Sequence, residues 1–370
     1  MTQPEDQEHS AAPNFQGSSL AHLHETLRAA AASSSGDRLL VLTHRGPDPD
    51  AIGSLEGIRF LLDRSLGIKS DIVTVGRIHR AENLALVRAL KLEFGDYEEV
   101  QAERYFGCML VDTQPGFGHT VIPTDIPLLG VLDHHVTPDD DSASAKVPHL
   151  DVRLGVGATC TIVWDYIRES GLELEQTVAT ALFCGIRYDT KDLSRNVSPL
   201  DEEAYYSTFR RADRAVLPEI HNPPLPRRYY AELHRALDLA SQHGPFVCCL
   251  LGDVSHPEFI AEMADFFLRM RGASWVVVGG FVEEEGEYVI SLRTDQAFGN
   301  AYPLLQRVLG GRGSFGGHGH IAGGRIRIER AEEGVLEEVE EIENLIRAAA
   351  LAVIGKDEDG ESGPLERDLI

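Results

Sequence analysis

The sequence predicts an α/β protein with two domains: a larger one built on a parallel sheet and a smaller α/β domain beyond a proline-rich linker. From Asp37 onward, short apolar runs alternate with helix-like segments, as in RLLVLT followed by AIGSLEGIRFLLDR. This alternation is typical of a parallel sheet covered by helices. Four prolines then interrupt the pattern in VLPEIHNPPLPRR, and the alternation restarts at FVCCLLG. We therefore place a domain boundary at the prolines.

The chain is long enough for two hydrophobic cores, since it has 370 residues. We expect a first domain over residues 19–214 and a linker over residues 215–228, where prolines prevent regular helix and sheet. The smaller domain is expected over residues 229–355. Polar, acidic ends without periodicity predict disorder over residues 1–18 and 356–370.

Each predicted element follows from an apolar run or a helical period. Strands of the first domain are predicted at RLLVLT, DIVTVG, CMLVDT and LLGVLDHH, and helices at AIGSLEGIRFLLDR, ENLALVRALKL, ATCTIVWDYIRES, EQTVATALFCGIR and SPLDEEAYYSTFRRAD. In the second domain, strands are predicted at FVCCLLG, SWVVVGGF and YVISLR, and helices at EFIAEMADFFLRM, AYPLLQRVL and near residues 332–353. A glycine-rich segment, GGRGSFGGHGHIAGGRI, lies between the last two helices and is predicted to be a loop.

Composition predicts a cytoplasmic protein with no membrane partner. Hydrophobic residues make up 43% and charged residues 25% of the chain, and no apolar run approaches the ~20 residues of a membrane helix. The polar N-terminus lacks the features of a secretion signal. The five cysteines show no CxxC spacing, which argues against disulfides and structural zinc.

The net charge restricts the partners of the protein. A formal charge of −25 opposes binding to long duplex nucleic acid, because such binding depends on cationic side chains that neutralise phosphates. A short phosphorylated ligand is still compatible with this charge, since metal ions and a few local arginines can supply a positive field.

Acidic and imidazole side chains follow four predicted elements of the first domain. They are His44, Asp48 and Asp50; Asp112; Asp133, His134 and His135; and Asp189. Ligands of open parallel sheets bind beyond the carboxyl ends of the strands, which is where the first three sets fall. If the strands are neighbours, these side chains converge.

Converging carboxylates require positive charge. Two like charges 4 Å apart repel by ~4 kcal/mol at an effective dielectric of 20, and bound divalent cations remove this conflict. A ligand set of carboxylate oxygens and two imidazoles favours Mn²⁺ as the bound metal, with Mg²⁺ or Fe²⁺ as alternatives. Six side chains exceed what one ion takes, so we expect two ions that share a carboxylate and activate water for attack on phosphorus.

Each residue of this set also has a structural interpretation when it is considered alone. Asp50 is also compatible with a helix N-cap, and Asp112 or Asp189 with a cap or a salt bridge. The order of the four sets within one domain favours the metal site over these alternatives.

The runs HRGPDPDAIGS, VDT, the DHH triplet and GIRYDT resemble, in order, the four motifs of the DHH phosphoesterases. The resemblance spans most of the first domain. It implies one metal held by His44 and Asp48, a second held by Asp50, His134 and Asp189, and Asp112 as the bridge between them. It further implies that His135 contacts the scissile phosphate and that Asp133 orients a ligand histidine.

The segment GSFGGHGHIAGG resembles the signature of the DHHA1 domain, which follows the catalytic domain in one branch of this family. The resemblance implies substrate contacts at Gly316, Gly317 and His318, with Arg312 and Arg293 as further candidates for phosphate. The structural interpretation of the glycine-rich segment is a flexible turn, and that of Arg293 is a solvated strand end. Phe315 stands where the family pattern usually has glycine, and Ile321 stands where it often has alanine. Phe315 is compatible either with stacking on a base or with filling space.

Together these features predict a metal-dependent hydrolase that acts on short oligonucleotides or small nucleotides. The resemblance implies a nanoRNase or a 3′-phosphoadenosine 5′-phosphate phosphatase. A cyclic-dinucleotide phosphodiesterase and a pyrophosphatase are alternatives on the same metal centre, and a catalytically silent nucleotide sensor is an alternative of another class. The sequence leaves open whether the protein is a homodimer.

Overall fold

A computed structural model describes residues 19–136, 146–295, 299–310, 312–329, 334–354 and 362–364. The chain forms two compact units, the first comprising Met1–Ile78 and Glu82–Pro223 and the second His79–Ala81 and Pro224–Ile370. Within the described ranges, no helix has the length and apolar character needed to cross a membrane.

The first unit contains a six-stranded sheet surrounded by helices. Its strands are β1 (Arg38–Leu42), β2 (Ser70–Thr74), β3 (Gly95–Asp96), β4 (Tyr105–Val111), β5 (Leu128–Asp133) and β6 (His149–Val152). The helices are α1 (Leu20–Ala32), α2 (Pro49–Leu61), α3 (Ala81–Leu90), α4 (Thr159–Ser170), α5 (Gln176–Asp189), α6 (Pro199–Arg211) and α7 (Leu217–His221).

The order of the strands brings the predicted site residues to one edge of the sheet. The order is β3-β2-β1-β4-β5-β6, and every neighbouring pair is parallel. Strands β1, β4 and β5 are consecutive neighbours, so their carboxyl ends meet at the same edge. The predicted parallel α/β architecture is confirmed.

Glycines allow helix α2 to pack closely on α4 and α5. A Cβ atom added at Gly53 would lie 2.6 Å from the carbonyl oxygen of Ala181 and 2.6 Å from Sγ of Cys160. Backbone atoms cannot move away as a flexible side chain can. The small residue therefore fixes how closely α2, which carries Asp50, approaches its neighbours.

We expect Gly53→Ala to lower the free energy of unfolding by roughly 1–3 kcal/mol, the usual cost of overpacking. Alanine is the better helix former, so propensity alone predicts stabilisation. Gly155→Ala is the matched control, because a Cβ atom there meets nothing within 4 Å. Gly155 lies in a turn, so denaturant unfolding of both variants separates crowding at Gly53 from the general effect of adding a methyl group to a glycine. Equal stability of the two variants would show that the contact at Gly53 is unimportant.

A buried polar network surrounds His149 at the start of β6. Nδ1 of His149 lies 3.0 Å from Nδ1 of His22, and its Nε2 lies 2.9 Å from the hydroxyl of Tyr166. Tyr166 donates to Asp151 at 2.9 Å, and Arg153 pairs with the same carboxylate at 2.7 Å. Burial lowers the pKa of His149 to about 4, with the neighbouring charge of Asp151 acting against it.

This shift predicts that acid destabilises the protein through His149. The unfolded chain takes up a proton on this histidine near pH 6.5, whereas the folded chain takes it up only near pH 4. Stability is therefore lost as the pH falls through this window, by about 3 kcal/mol. Unfolding titrations at pH 7 and pH 4.5 should show a smaller pH dependence in His149→Asn than in the wild type. His24→Asn, on α1, should retain the wild-type dependence.

The second unit is a mixed α/β structure with a seven-stranded sheet. Its strands are β7 (Ser241–His243), β8 (Phe246–Val254), β9 (Trp275–Val282), β10 (Glu287–Thr294), β11 (Ser314–His318), β12 (Ile321–Arg327) and β13 (Ser362–Pro364). The helices are α8 (Arg227–Leu239), α9 (Pro257–Leu268), α10 (Ala301–Leu309) and α11 (Val335–Ile354). The sheet order is β11-β12-β10-β9-β8-β7-β13, in which only the pair β8–β9 is parallel.

Three local expectations differ from the structure. The linker contains the short helix α7, because Pro218 lies in its first turn, where a missing amide costs no hydrogen bond. The glycine-rich segment forms the antiparallel pair β11–β12 and not a loop. Residues Ser362–Pro364, within the segment expected to be disordered, pair with β7. Residues 1–18, 355–361 and 365–370 lie outside the described residues.

Candidate metal centre

The loop between β1 and α2 presents the first set of site residues. Asp48 is the N-cap of α2, and its Oδ1 accepts from the amides of Asp50 and Ala51, each at 3.0 Å. Pro49 in the first turn makes this helix start rigid. The capping role considered for Asp50 therefore belongs to Asp48. Asp50 is fully buried.

The carboxylate of Asp50 lies at the N-terminus of another helix. The amide of Thr159 donates to its Oδ2 at 2.6 Å, and the amide of Cys160 donates to its Oδ1 at 2.8 Å. These are first-turn amides of α4, which have no partner within their own helix. The positive end of α4 thus holds Asp50 in a single orientation.

Asp112 directly follows β4 and has an unusual backbone. Its φ is 57°, in the left-handed region that an aspartate rarely adopts. Its amide donates to the carbonyl of Leu132 at 2.9 Å, and the hydroxyl of Thr159 donates to its Oδ1 at 2.9 Å. The sheet and α4 therefore stabilise a strained conformation, a feature that often occurs at functional sites.

The carboxyl end of β5 carries Asp133, His134 and His135. Oδ1 of Asp133 accepts from Nδ1 of His135 at 2.8 Å and from the amide of His134 at 2.9 Å, and Oδ2 accepts from Gln114 at 2.7 Å. Burial opposes ionisation of Asp133, but the hydrogen bonds from His135 and Gln114 and the charges of the two histidines together outweigh it, so the pKa of Asp133 is lower than usual. The imidazole that Asp133 contacts is that of His135, not that of His134.

Asp189 is the last residue of α5. The guanidinium of Arg195 donates to the carbonyl of Asp189 through Nε at 2.9 Å and through Nη2 at 2.6 Å. Between Asp189 and Arg195, three consecutive residues have a left-handed backbone: φ is 47° at Lys191, 53° at Asp192 and 61° at Leu193. The sequence motifs indicate neither Arg195 nor Thr159, because each acts on a site residue that it contacts, Arg195 on the nearby Asp189 and Thr159 on the distant Asp112.

The structure brings all six predicted metal ligands together in small groups. Possible ligand atoms lie within 4.8 Å of one another in three groups: His44, Asp48 and Asp112; Asp50, His134 and Asp189; and Asp112, His134 and His135. Asp112 occurs in two of them. Its Oδ2 lies 3.6 Å from Nε2 of His44, and its Oδ1 lies 3.7 Å from Nε2 of His134.

The side chains of this centre bring several buried carboxyl groups together, and burial disfavours their ionised forms. Burial raises the pKa of Asp50 to about 7, and the charge of Asp189 acts in the same direction. Burial also raises the pKa of Asp48, and it raises that of Asp112 well above its usual value. Burial would lower the pKa of His134, but Asp189, Asp50 and Asp112 raise it well above its usual value.

The donor set fits divalent cations. Nε2 of His134 is buried and has no hydrogen-bond partner among the described residues, although it lies 3.1 Å from Oδ2 of Asp189. It also lies 3.8 Å from Oδ2 of Asp50. A buried ring nitrogen that faces several carboxylates matches a cation bound between them, because carboxylate oxygens and imidazole nitrogens are ligands of Mn²⁺ and related ions.

The substrate residues predicted in the second unit lie around β11 and β12. His318 is paired in register with Ile321, and Ile321 with Arg293 of β10. The side chain of His318 lies outside the described part of the chain. Arg312 is exposed just before β11, which includes Gly316 and Gly317.

The structure bears on the alternative interpretations of two side chains in this unit. Arg293 is not a solvated strand end: its side chain is only 10% exposed, and its Nε donates to Asp265 at 2.7 Å. Phe315 packs on the core of its own unit, with its ring 6.0 Å from that of Tyr302. The space-filling interpretation of Phe315 therefore agrees with the structure.

Comparison with known proteins supports the same family. Residues 243–345 match the DHHA1 domain. The chain is 32% identical over 330 residues to an uncharacterised protein of Methanocaldococcus jannaschii. The aligned region covers 87% of this chain and 65% of that protein. The DHHA1 match, together with the DHH motifs assembled at the sheet edge, supports a DHH-family protein with a DHHA1 domain at residues 243–345.

Two further comparisons are more distant. A protein of Streptococcus pyogenes named probable manganese-dependent inorganic pyrophosphatase is 26% identical over 167 residues, or 41% of this chain and 48% of that protein. The structure of a pGpG-specific phosphodiesterase from Vibrio cholerae aligns with a TM-score of 0.35 and 12% identity, over 84% of this chain and 99% of that chain. The chain spans less than two thirds of the length of either curated relative.

Proposed function

We propose that the protein is a two-metal-ion phosphoesterase that hydrolyses short oligonucleotides or small nucleotides, of the nanoRNase or 3′-phosphoadenosine 5′-phosphate phosphatase type. The observation that carries this proposal is the grouping of six ligand candidates into two sets joined through Asp112. The DHH motifs and the DHHA1 match support it.

Each set would hold one ion, and Mn²⁺ fits the donors best. His44 and Asp48 would hold the first ion, and Asp50, His134 and Asp189 the second, with Asp112 between them. When bound, two such cations supply positive charge for the phosphoryl oxygens and make water a better nucleophile. The similarity to a manganese-dependent pyrophosphatase supports the choice of manganese.

The protein's own groups would orient the reactants. Asp133, whose low pKa keeps it ionised, fixes the ring of His135 through Nδ1, so that Nε2 is the ring nitrogen for a phosphoryl oxygen. Thr159 holds Asp112, and Arg195 holds the backbone of Asp189. A centre held by such contacts needs little rearrangement when substrate binds.

Pyrophosphate hydrolysis is the second candidate, because the similarity to the streptococcal pyrophosphatase extends over 167 residues. The DHHA1 domain at residues 243–345 favours nucleotide substrates instead, since the glycine-rich signature resembles that of nucleotide-processing relatives. Cyclic dinucleotides contain the same scissile bond as dinucleotides and belong in the same test.

A substrate panel tests the proposal. Purified protein with Mn²⁺ should hydrolyse a dinucleotide or 3′-phosphoadenosine 5′-phosphate faster than pyrophosphate, and a chelator should stop the reaction. Preference for pyrophosphate would support the second candidate. Nucleotide binding without turnover of any member would contradict both and support the sensor alternative.

A further inference from the structure

A loop that the metal-ligand assignment does not use lies beside the candidate metal centre. The aromatic loop (residues 114–120) follows Asp112 and Thr113 and is anchored at its base. Nε2 of Gln114 donates to Asp133 at 2.7 Å and to the carbonyl of His135 at 2.9 Å. The hydroxyls of Thr113 and Thr120 form a hydrogen bond across the loop.

A third anchor connects the aromatic loop to the loop that carries His44. The amide of Arg45 donates to the carbonyl of His119 at 3.0 Å. Within the loop, the amide of Phe117 donates to the carbonyl of Gln114 at 3.2 Å. The loop is thus held on both sides of the centre by hydrogen bonds within the protein. Such preorganisation lowers the entropy cost of binding.

Two rings of the loop complete a row of rings along the centre. The ring of His119 packs edge-on against that of His44, with centroids 5.3 Å apart, and stacks on Phe117 at 5.6 Å. Phe117 in turn contacts His135 edge-on at 6.0 Å. The row therefore runs from a candidate metal ligand to the histidine proposed to contact the phosphate.

The chemistry of Phe117 differs from that of the candidate metal ligands beside it. A phenyl ring offers no ligand atom to a cation and no hydrogen bond to a phosphoryl oxygen. Its flat apolar face does suit a heterocyclic base, which stacks on aromatic side chains regardless of its identity. Phe117 is only partly buried and His119 is exposed, so this pair reaches the surface.

We propose that Phe117 and His119 form a nucleobase-binding surface beside the metal centre, which makes a nucleotide, and not inorganic pyrophosphate, the substrate class. This inference rests on the proposed phosphoesterase function. It adds that the metal-bearing unit itself recognises the base next to the scissile phosphate. His119 is a specificity residue in this role and has no place among the proposed metal ligands.

Ligand binding without turnover gives the first test. AMP and inorganic phosphate are titrated calorimetrically into the wild type and Phe117→Ala in the presence of Mn²⁺. The variant should lose roughly 5- to 150-fold in affinity for AMP, the range that stacking of one base supplies. Its affinities for phosphate and for Mn²⁺ should stay within twofold of the wild type.

Kinetics with a dinucleotide give the second test. Phe117→Ala should raise KM much more than it lowers kcat, and Phe117→Tyr, which keeps the ring, should restore KM. Tyr206→Ala is the matched control, since Tyr206 is a 51% exposed aromatic residue on α6 with no part in the centre. Thermal melts establish that all three variants fold.

The outcomes separate this inference from the proposed function. Equal losses for AMP and phosphate, or no loss for AMP, would overturn the nucleobase surface even if the wild type hydrolyses nucleotides. If the wild type hydrolyses no substrate but its AMP affinity depends on Phe117, the nucleobase surface is supported and the phosphoesterase proposal is overturned.

Discussion

Asp112→Asn is expected to lower metal-dependent hydrolysis by about 10³-fold or more, because the charge stabilisation that bound cations supply amounts to several kcal/mol. Asp112 connects the two ligand sets, with its carboxylate 3.6 Å from His44 and 3.7 Å from His134. Asparagine keeps the shape of the aspartate side chain, and its Oδ1 can still accept the hydrogen bond from the hydroxyl of Thr159, so the fold should persist. Initial rates with Mn²⁺ and a dinucleotide measure the loss.

The same substitution should stabilise the metal-free protein. Burial and the charges of Asp50 and Asp48 raise the pKa of Asp112, so its ionised form costs stability in the folded state. The cost is present above the ordinary pKa of an aspartate, about 4, and vanishes at lower pH, where both folded and unfolded chains are protonated. In EDTA at neutral pH, Asp112→Asn should therefore melt at a higher temperature than the wild type.

Asp63→Asn is the control for both effects. Asp63 is 70% exposed and lies 3.6 Å from Arg64, so an exposed carboxylate is removed with little expected change in activity or in melting temperature. Wild-type activity in Asp112→Asn would show that the reaction does not depend on this centre. A lower melting temperature in EDTA would show that the buried carboxylates do not repel one another.

His135→Gln is expected to lower kcat by about 10²- to 10³-fold, the usual effect of losing one donor to a developing charge. Unlike Asp112→Asn, it should leave the number of bound ions unchanged, since His135 lies outside the two proposed ligand sets. Steady-state kinetics combined with metal analysis distinguishes the two roles. His234→Gln, a 77% exposed histidine on α8, provides the matched control.

Loss of bound metal in His135→Gln would instead assign His135 to the ligand set. Its ring is part of the group with Asp112 and His134, and Nδ1 lies 3.9 Å from Oδ1 of Asp112. Nδ1 is also 2.8 Å from Asp133, which favours orientation by that carboxylate over metal binding through this nitrogen.

The parallel sheet and the convergence of the candidate ligands could be predicted from the sequence, because both depend on local patterns. Apolar runs give the strands, and residues that directly follow parallel strands meet at one edge. His44, Asp112 and Asp133 to His135 lie at such positions. Asp189 is the last residue of helix α5, and its proximity to the strand ends depends on how α5 packs against α2.

The contacts that hold these side chains could not be predicted in the same way. The amides of Thr159 and Cys160 bind Asp50 across more than 100 residues of sequence, and no local sequence pattern specifies such a pairing. The strand β6 is short, and its buried polar His149 and Asp151 obscure the apolar signal. The glycines of β11 and β12 give this segment the sequence pattern of a loop. In the structure, pairing between the two strands satisfies the hydrogen-bonding groups of their backbone.

For the ring pair Phe117 and His119, the sequence indicates the position of the two residues but not their contacts. In TQPGFGHT, which begins directly after Asp112, Phe117 stands between two glycines and His119 follows the second of them. That spacing signals a tight turn beside the centre, but the stacking of the two rings and their contacts with His135 and His44 depend on the folded backbone.

Counting the bound ions tests the central claim most directly. Crystals grown with Mn²⁺ and measured at the manganese absorption edge should show two anomalous peaks per chain, one at His44 and Asp48 and the other at Asp50, His134 and Asp189, with Asp112 between them. A single peak, or none at these residues, would contradict the two-metal centre.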